Sequence, residues 1–173
     1  MCIRDRYKSV SNFLKIEYNI CKLGNNFNVS VYRKDDFIME RTMVLIKPDG
    51  VERNIIGNII SCYEANGLKI KELKMMKATR EIAEKHYSQH KGKDFYEELI
   101  TFITRSPLVA IILIGEEAVN RVRAINGATS PDDAAEGTIR HRYARSKTEN
   151  CVHASDTVES AEEEINLWFS ELK

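Results

Sequence analysis

Thr42-Met43-Val44-Leu45-Ile46-Lys47, followed at once by Pro48-Asp49-Gly50, sets the reading of this 173-residue chain. A short apolar run closed by a turn signal predicts a buried strand, because proline cannot continue a ladder and glycine accepts the turn. Beyond the turn, Ile56, Ile59, Ile60 and Tyr63 recur at helical spacing and form one apolar face. Asn66-Gly67 supplies the helix stop, since glycine takes the left-handed conformation without a Cβ clash. Leu68 to Ala78 alternates as a second strand, Thr79 caps a helix from Arg80 to about His90, and Phe95 to Ile103 continues as another helix. Leu108 to Ile114 is a continuous apolar strand, and Glu117 to Ile125 reads as a helix. A long loop bearing Gly, Pro and Asp then leads to a short strand at Cys151–His153. Asp156 with Glu159 fits a helix-start box, and Ala161, Ile165 and Trp168 mark a last amphipathic helix. Stripped of its additional helices the order is βαββαβ. That is a ferredoxin-like α+β class, a four-stranded antiparallel sheet covered by helices. Many unrelated activities use this arrangement, so the sites must decide function.

Residues 1–38 differ from the rest of the chain. They mix Asn, Lys, Tyr and Ser with scattered apolar residues, and sustain neither helical nor strand periodicity. No apolar secretory core is present, and Asp5, Glu17, Asp35 and Asp36 interrupt the basic character a transit peptide would need. The expectation is an N-terminal extension over 1–38, disordered or non-native, with Met39 as the natural start and one domain over 39–173. The extension carries a net charge of +3 and the remainder −3, which together give the neutral whole. A mildly acidic domain offers no broad footprint for a phosphate backbone, so no dedicated nucleic-acid binding is expected. No apolar run is long enough to span a bilayer. The cysteines Cys2, Cys21, Cys62 and Cys151 are widely spaced with no Cys-x-x-Cys pair, which fits a reducing compartment and a cytoplasmic location.

Phosphate-binding glycine loops are absent, so any phosphate must be held by side chains: Gly92-Lys93 has Tyr87 where a P-loop needs glycine, and no G-x-G-x-x-G occurs. His86 and His90 stand four apart, but Tyr87 replaces the glutamate of a zincin and no third ligand can be named; solvated helix residues account for them. His141, among Arg140, Arg142 and Arg145, reads as an exposed loop residue. His153 ends a short apolar strand just before a helix start, where partial positive charge and free N–H groups collect. There a neutral imidazole can act as a nucleophile if its second nitrogen has a fixed partner, and Glu164 on the next helix can be that partner. A buried histidine making structural hydrogen bonds is the competing reading, and spacing alone does not separate the two.

Asn150-x-x-His153-x-Ser155-Asp156 resembles the active-site signature of the nucleoside diphosphate kinases. Arg41-Thr42, Lys47-Pro48-Asp49-Gly50-Val51, His86-Tyr87, Phe95, Gly127-Ala128-Thr129-x-Pro131 and Gly137-Thr138-Ile139-Arg140 resemble further family motifs, in the family's order. The likeness covers about residues 40–170, and the short tail after Trp168 is similar to the bacterial forms. Ala154 stands where many members have glycine, and residues 115–122 depart most from common members without carrying a motif.

The resemblance implies a γ-phosphate transferred from ATP to nucleoside and deoxynucleoside diphosphates, through phosphohistidine at His153, by a ping-pong route. It implies that Glu164 holds the imidazole and Ser155 supports that carboxylate, while Lys47 and Tyr87 reach the moving phosphoryl group. Arg123, Thr129 and Arg140 match binders of the α- and β-phosphates, Asn150 and Lys47 match contacts to the sugar, and Phe95 with Leu99 offers the base an apolar face. Mg²⁺ is implied as a cofactor that arrives on the nucleotide, with no metal ligand from the protein. A homo-oligomer, tetramer or hexamer, is implied too. Two other classes compete: a nucleotide-binding regulator without turnover, and an RNA-binding module on the same sheet. Intact His153, Lys47 and Glu164 argue against the first, and net acidity against the second.

Overall fold

The computed structural model describes residues 16–23, 26–33 and 39–170. Residues 1–38 and 39–173 form two separate compact units. In the first, β1 (Ile16–Leu23) and β2 (Asn26–Arg33) pair antiparallel from Ile16↔Arg33 to Leu23↔Asn26. Both strands lie in the stretch whose sequence sustains no long strand periodicity. Ile16, Tyr18 and Ile20 do alternate, opposite Arg33, Val31 and Val29, but the run is short and diluted by polar neighbours. The expectation for 1–15, 24–25 and 34–38 lies outside the described residues.

In the second unit, β3 (Glu40–Ile46), β4 (Lys69–Met76), β5 (Leu108–Gly115) and β6 (Val152–Ala154) form one sheet in the order β4-β5-β3-β6, every pair antiparallel. The helices are α1 (Pro48–Glu52), α2 (Ile56–Ala65), α3 (Arg80–His86), α4 (Tyr96–Thr104), α5 (Ala118–Asn126), α6 (Ile139–Tyr143) and α7 (Val158–Trp168). Setting aside α1, α3, α4, α6 and α7 leaves β3-α2-β4-β5-α5-β6, the expected βαββαβ frame.

Both faces of the sheet are covered, which explains why β3 and β5 read as unbroken apolar runs instead of alternating. Met43 and Leu45 join Leu108, Ala110 and Ile112 in a core with α3, α4 and α7, whose largest member is Trp168. Val44 and Ile46 join Val109, Ile111 and Leu113 in a second core against α2 and α5. Burial of such side chains is worth about 1.5–3 kcal/mol each, so the two layers fix the register of β3. No helix among the described residues is long and apolar enough to cross a membrane.

Local chemistry sets the boundaries. Thr79 caps α3 by accepting from the Ile82 N–H at 3.2 Å, and Gly67 ends the α2 segment at φ +74. The helix expected to reach His90 stops at His86, and a 3-10 turn covers Ser88–His90. The start of α7 also differs. Thr157, not Asp156, is the cap, in a reciprocal box with Ser160, because Thr157 Oγ1 reaches the Ser160 N–H at 3.1 Å. Asp156 instead accepts from the Ser160 hydroxyl at 2.7 Å. The long loop before β6 contains α6, started by Thr138, whose Oγ1 accepts from the His141 N–H.

Candidate active site

β6 is three residues long and pairs with the end of β3, with His153 opposite Leu45. Directly opposed residues share a face, so His153 lies on the side packed by α3 and α7. Immediately upstream, Cys151 sits at φ +66. A non-glycine residue in that region costs of order 1–3 kcal/mol and persists only where neighbours hold it. Here the Cys151 N–H donates to Asp49 Oδ2 at 3.0 Å, and its carbonyl accepts from the Lys47 N–H at 2.8 Å. Asp49 and Cys151 are both buried. Burial and the Asp49 carboxylate push the Cys151 thiol up to about 12, so it packs as an inert group. The kink turns Asn150 and His153 toward one cavity. Nothing in the sequence announces it.

His153 Nε2 lies 2.9 Å from Glu164 Oε1, and Ser155 Oγ donates to Glu164 Oε2 at 2.5 Å. A carboxylate only accepts, so Nε2 carries the proton and Nδ1 keeps its lone pair. Glu164 sits midway along α7, three positions after Ala161, which is buried.

His86 corrects the sequence reading most clearly. Expected as a solvated helix residue, it is buried at the end of α3, its ring 4.4 Å from that of His153 and edge-on at 78°. Trp168 Nε1–H donates to its Nδ1 at 3.2 Å. Burial first, then the neighbouring His153 and Lys47, holds its pKa well below the ordinary histidine value. The helical periodicity of α3 carried the signal: Ala83 is buried and Tyr87 follows His86 into the same layer. His90 is half-buried, stacked on Tyr87 at 6.1 Å and tilted toward Phe95 at 5.6 Å. His141 is exposed as expected, but on α6 and not in a loop.

The cationic side of the cavity is built from Lys47, Arg140 and Arg123. Lys47 is 6% exposed, and its ammonium donates to Asn150 Oδ1 at 2.7 Å. Burial, then the nearby Arg140, pushes its pKa down to about 8. Asn150 Nδ2 donates to the carbonyls of Thr129 at 3.2 Å and Lys147 at 3.0 Å, so one side chain ties both of these loop segments to Lys47. Arg140 donates to Gly127 O at 2.6 Å and Val152 O at 2.9 Å, while its buried Nε has no partner among the described residues. Gly127 lets Thr138, the cap of α6, pack against this turn: φ is +80, and a Cβ there would lie 2.4 Å from Thr138 Oγ1. Arg123 and Thr129 are exposed at the rim.

A cavity of about 970 Å³ collects this chemistry. Of the eleven residues expected from the sequence, ten line it, and Ser155 stands behind Glu164. Phe95, 48% exposed, lies beside the N-terminus of α4, and Leu99 is one turn further along. Tyr87 is buried with its hydroxyl unpartnered among the described residues, and burial raises its pKa. An unpaired hydroxyl, an unpaired guanidinium nitrogen and a lysine on one cavity suit an anion. His86, His153 and Glu164 form the only metal-capable cluster among the described residues. That nitrogen-rich set suits a transition metal better than Mg²⁺, which prefers oxygen ligands, and Trp168 already occupies His86 Nδ1.

Comparison with known proteins identifies the family. The family model described as nucleoside diphosphate kinase matches residues 40–173. A protein of that name from Clostridium perfringens is 60% identical over 131 residues, covering 76% of this chain and 92% of the relative. One from Saccharolobus islandicus is 52% identical over 132 residues, covering 76% and 96%. Among solved structures, the Aquifex aeolicus nucleoside diphosphate kinase aligns with a TM-score of 0.75 at 40% identity, over 78% of this chain and 97% of that one. A halophilic nucleoside diphosphate kinase from Halobacterium salinarum, in complex with CDP, aligns at 0.74 and 42% identity, over 76% and 88%. With a matching family model over most of its length and relatives at this identity, the chain belongs to the nucleoside diphosphate kinase family, enzymes that transfer phosphate between nucleotides.

Proposed function

We propose that His153 is the residue that carries the phosphoryl group between a nucleoside triphosphate and a nucleoside or deoxynucleoside diphosphate. The observation that carries this reading is the 2.9 Å bond from His153 Nε2 to Glu164, which leaves Nδ1 as the free nucleophile in a cavity lined by Lys47, Arg123 and Arg140. Nδ1 attacks the γ-phosphorus, the N–P bond forms, and the bond to the β-phosphate oxygen breaks with its electron pair leaving on the diphosphate. Positive charge that develops on the imidazole is balanced by Glu164, kept in place by Ser155. Lys47 and Tyr87 stabilise charge on the moving phosphoryl oxygens, and Arg123, Thr129 and Arg140 hold the remaining phosphates. Asn150 and Lys47 meet the sugar, and the base stacks on Phe95 near Leu99, a contact every base can make. A second diphosphate then takes the group by the reverse path.

Mg²⁺ arriving with the nucleotide would supply charge neutralisation for the phosphates, and Asp156 and Glu163 on the cavity wall would be the carboxylates left to help hold it once Glu164 is engaged by His153. We read residues 39–173 as the catalytic unit, residues 1–38 as an extension it does not need, and the location as cytoplasmic. A homo-oligomer is supported by edge strand β4, where Leu73 is 45% and Met75 55% exposed, since an apolar edge invites pairing. Leu73→Glu/Met75→Glu should lower the mass seen by analytical ultracentrifugation if that edge is used.

The direct test incubates the enzyme with γ-labelled ATP and Mg²⁺ and then chases with GDP or a deoxynucleoside diphosphate. Acid-labile, alkali-stable label that is absent in His153→Ala and discharged by several diphosphates is the expected result. Label retained by His153→Ala sinks the assignment.

A further inference from the structure

Glu164 Oε1 has two imidazoles within reach, and only one of them is bonded to it. His153 Nε2 is at 2.9 Å, and His86 Nδ1 stands 3.7 Å from the same oxygen. The second contact is not a hydrogen bond. His86 Nδ1 accepts from Trp168 Nε1–H, so its lone pair is directed to the indole and its proton must reside on Nε2. That Nε2 is buried and has no partner among the described residues.

The opposite tautomer would be favoured by local bonding if Trp168 did not forbid it. A proton on Nδ1 would gain a charge-assisted bond to a carboxylate, and Nε2 would merely change from an unpaired donor to an unpaired acceptor. The indole is held rigidly, since Trp168 is 1% exposed in the core at the end of α7. It places an N–H where His86 can only accept. Burial keeps His86 neutral, so it cannot escape by taking a second proton.

We propose that Trp168 and His86 form a tautomer lock that reserves Glu164 for His153, which makes both of them positioning residues for phosphoryl transfer. The inference rests on His153 being the phosphoryl carrier. With the lock in place, Glu164 Oε1 has one imidazole donor, and His153 keeps its proton on Nε2 and its lone pair on Nδ1. Without it, His86 swings its proton to Nδ1 and draws Glu164 toward itself. The His153 ring then loses the partner that fixes its tautomer and offsets its charge in the transition state.

Trp168→Phe keeps a ring in the core but removes the N–H. The expected result is a kcat about tenfold lower with nucleotide KM nearly unchanged, the loss of one charge-assisted bond. The double variant Trp168→Phe/His86→Phe removes the competing donor as well, and should recover most of that loss. If these rings served only to pack, the second substitution would add damage. Nitrogen-15 imidazole spectra of the wild-type enzyme need no variant: His86 should carry its proton on Nε2. A wild-type His86 protonated on Nδ1, an unchanged kcat in folded Trp168→Phe, or a double variant slower than the single would each overturn the lock. None of these outcomes touches the phosphoenzyme assay on His153→Ala, so failure of the lock and failure of the carrier assignment are separable.

Discussion

Glu164→Gln gives the sharpest quantitative test of the site. The substitution is isosteric, so the 2.9 Å contact from His153 Nε2 to Oε1 and the core around Ile165 are retained. What is lost is the charge on the acceptor. A hydrogen bond to a charged group contributes about 1.5–3 kcal/mol and a neutral one about 0.5–1.5, so the difference is about 1–1.5 kcal/mol, or 5- to 15-fold in rate. The loss belongs in the chemical step, because the imidazole becomes cationic only as the N–P bond forms. Amide orientation decides whether the loss stays at that size. Ser155 Oγ now donates to Glu164 at 2.5 Å, but it also lies 3.4 Å from the Met43 carbonyl. It can therefore turn to donate there and accept from the new amide N–H, leaving the amide oxygen for His153. The assay is rapid-quench, single-turnover formation of labelled enzyme across a range of ATP concentrations. The plateau rate should fall 5- to 15-fold, by the same arithmetic, while the half-saturating concentration stays put. A plateau within twofold of wild type, or a loss carried wholly by half-saturation, refutes the role assigned to this carboxylate.

If Lys47 holds the nucleotide as proposed, binding depends on pH: below about 8 its ammonium is charged in the empty site, and above that value it is neutral. Affinity for a non-hydrolysable triphosphate, followed by calorimetry, should fall as pH rises through that point, and Lys47→Arg should abolish the step. Gly127→Ala forces a methyl to within 2.4 Å of Thr138 Oγ1 at φ +80; urea unfolding should show a loss of order 1–3 kcal/mol. A chain beginning at Met39 should turn over nucleotides at the rate of the full chain, and a severalfold loss in that comparison would give residues 1–38 a part in the activity.

Much of the fold was legible because the signals were local. The apolar runs of β3 and β5, the Asn66-Gly67 stop and the Thr79 cap each depend on a few adjacent residues, and the structure keeps them. The misses share a different cause. His86 looked solvated because polarity was weighed without its helix face; its burial depends on Trp168, 82 positions away. Thr157 replaces Asp156 as cap because Ser160 can answer it, a choice between adjacent candidates that propensity does not resolve. The β1–β2 hairpin was diluted by polar neighbours, and α6 is a single short turn that any loop composition permits. In the site, the residues that touch the cavity had a chemical signature, while those that hold them did not. Neither the left-handed turn at Cys151 nor the Asp49 carboxylate that clamps it could be inferred from residue type.

The strand that carries His153 is the shortest of the four and lies at the edge of the sheet, joined to β3 by three residue pairs. Such a segment opens by local fraying at a lower free energy than the central strands, which can exchange their amides only on wider unfolding. Amide protons at Val152–Ala154 should therefore be among the first in the sheet to exchange with deuterated solvent. If His153, Asn150 and Lys47 hold the nucleotide as proposed, the bound molecule couples that edge to the end of β3 and the core, and the open state does not bind it. Substrate occupancy then acts as a staple, and slows exchange at the edge by a factor that grows with nucleotide concentration. An enzyme of this design is most exposed to proteolysis when its own substrates are scarce.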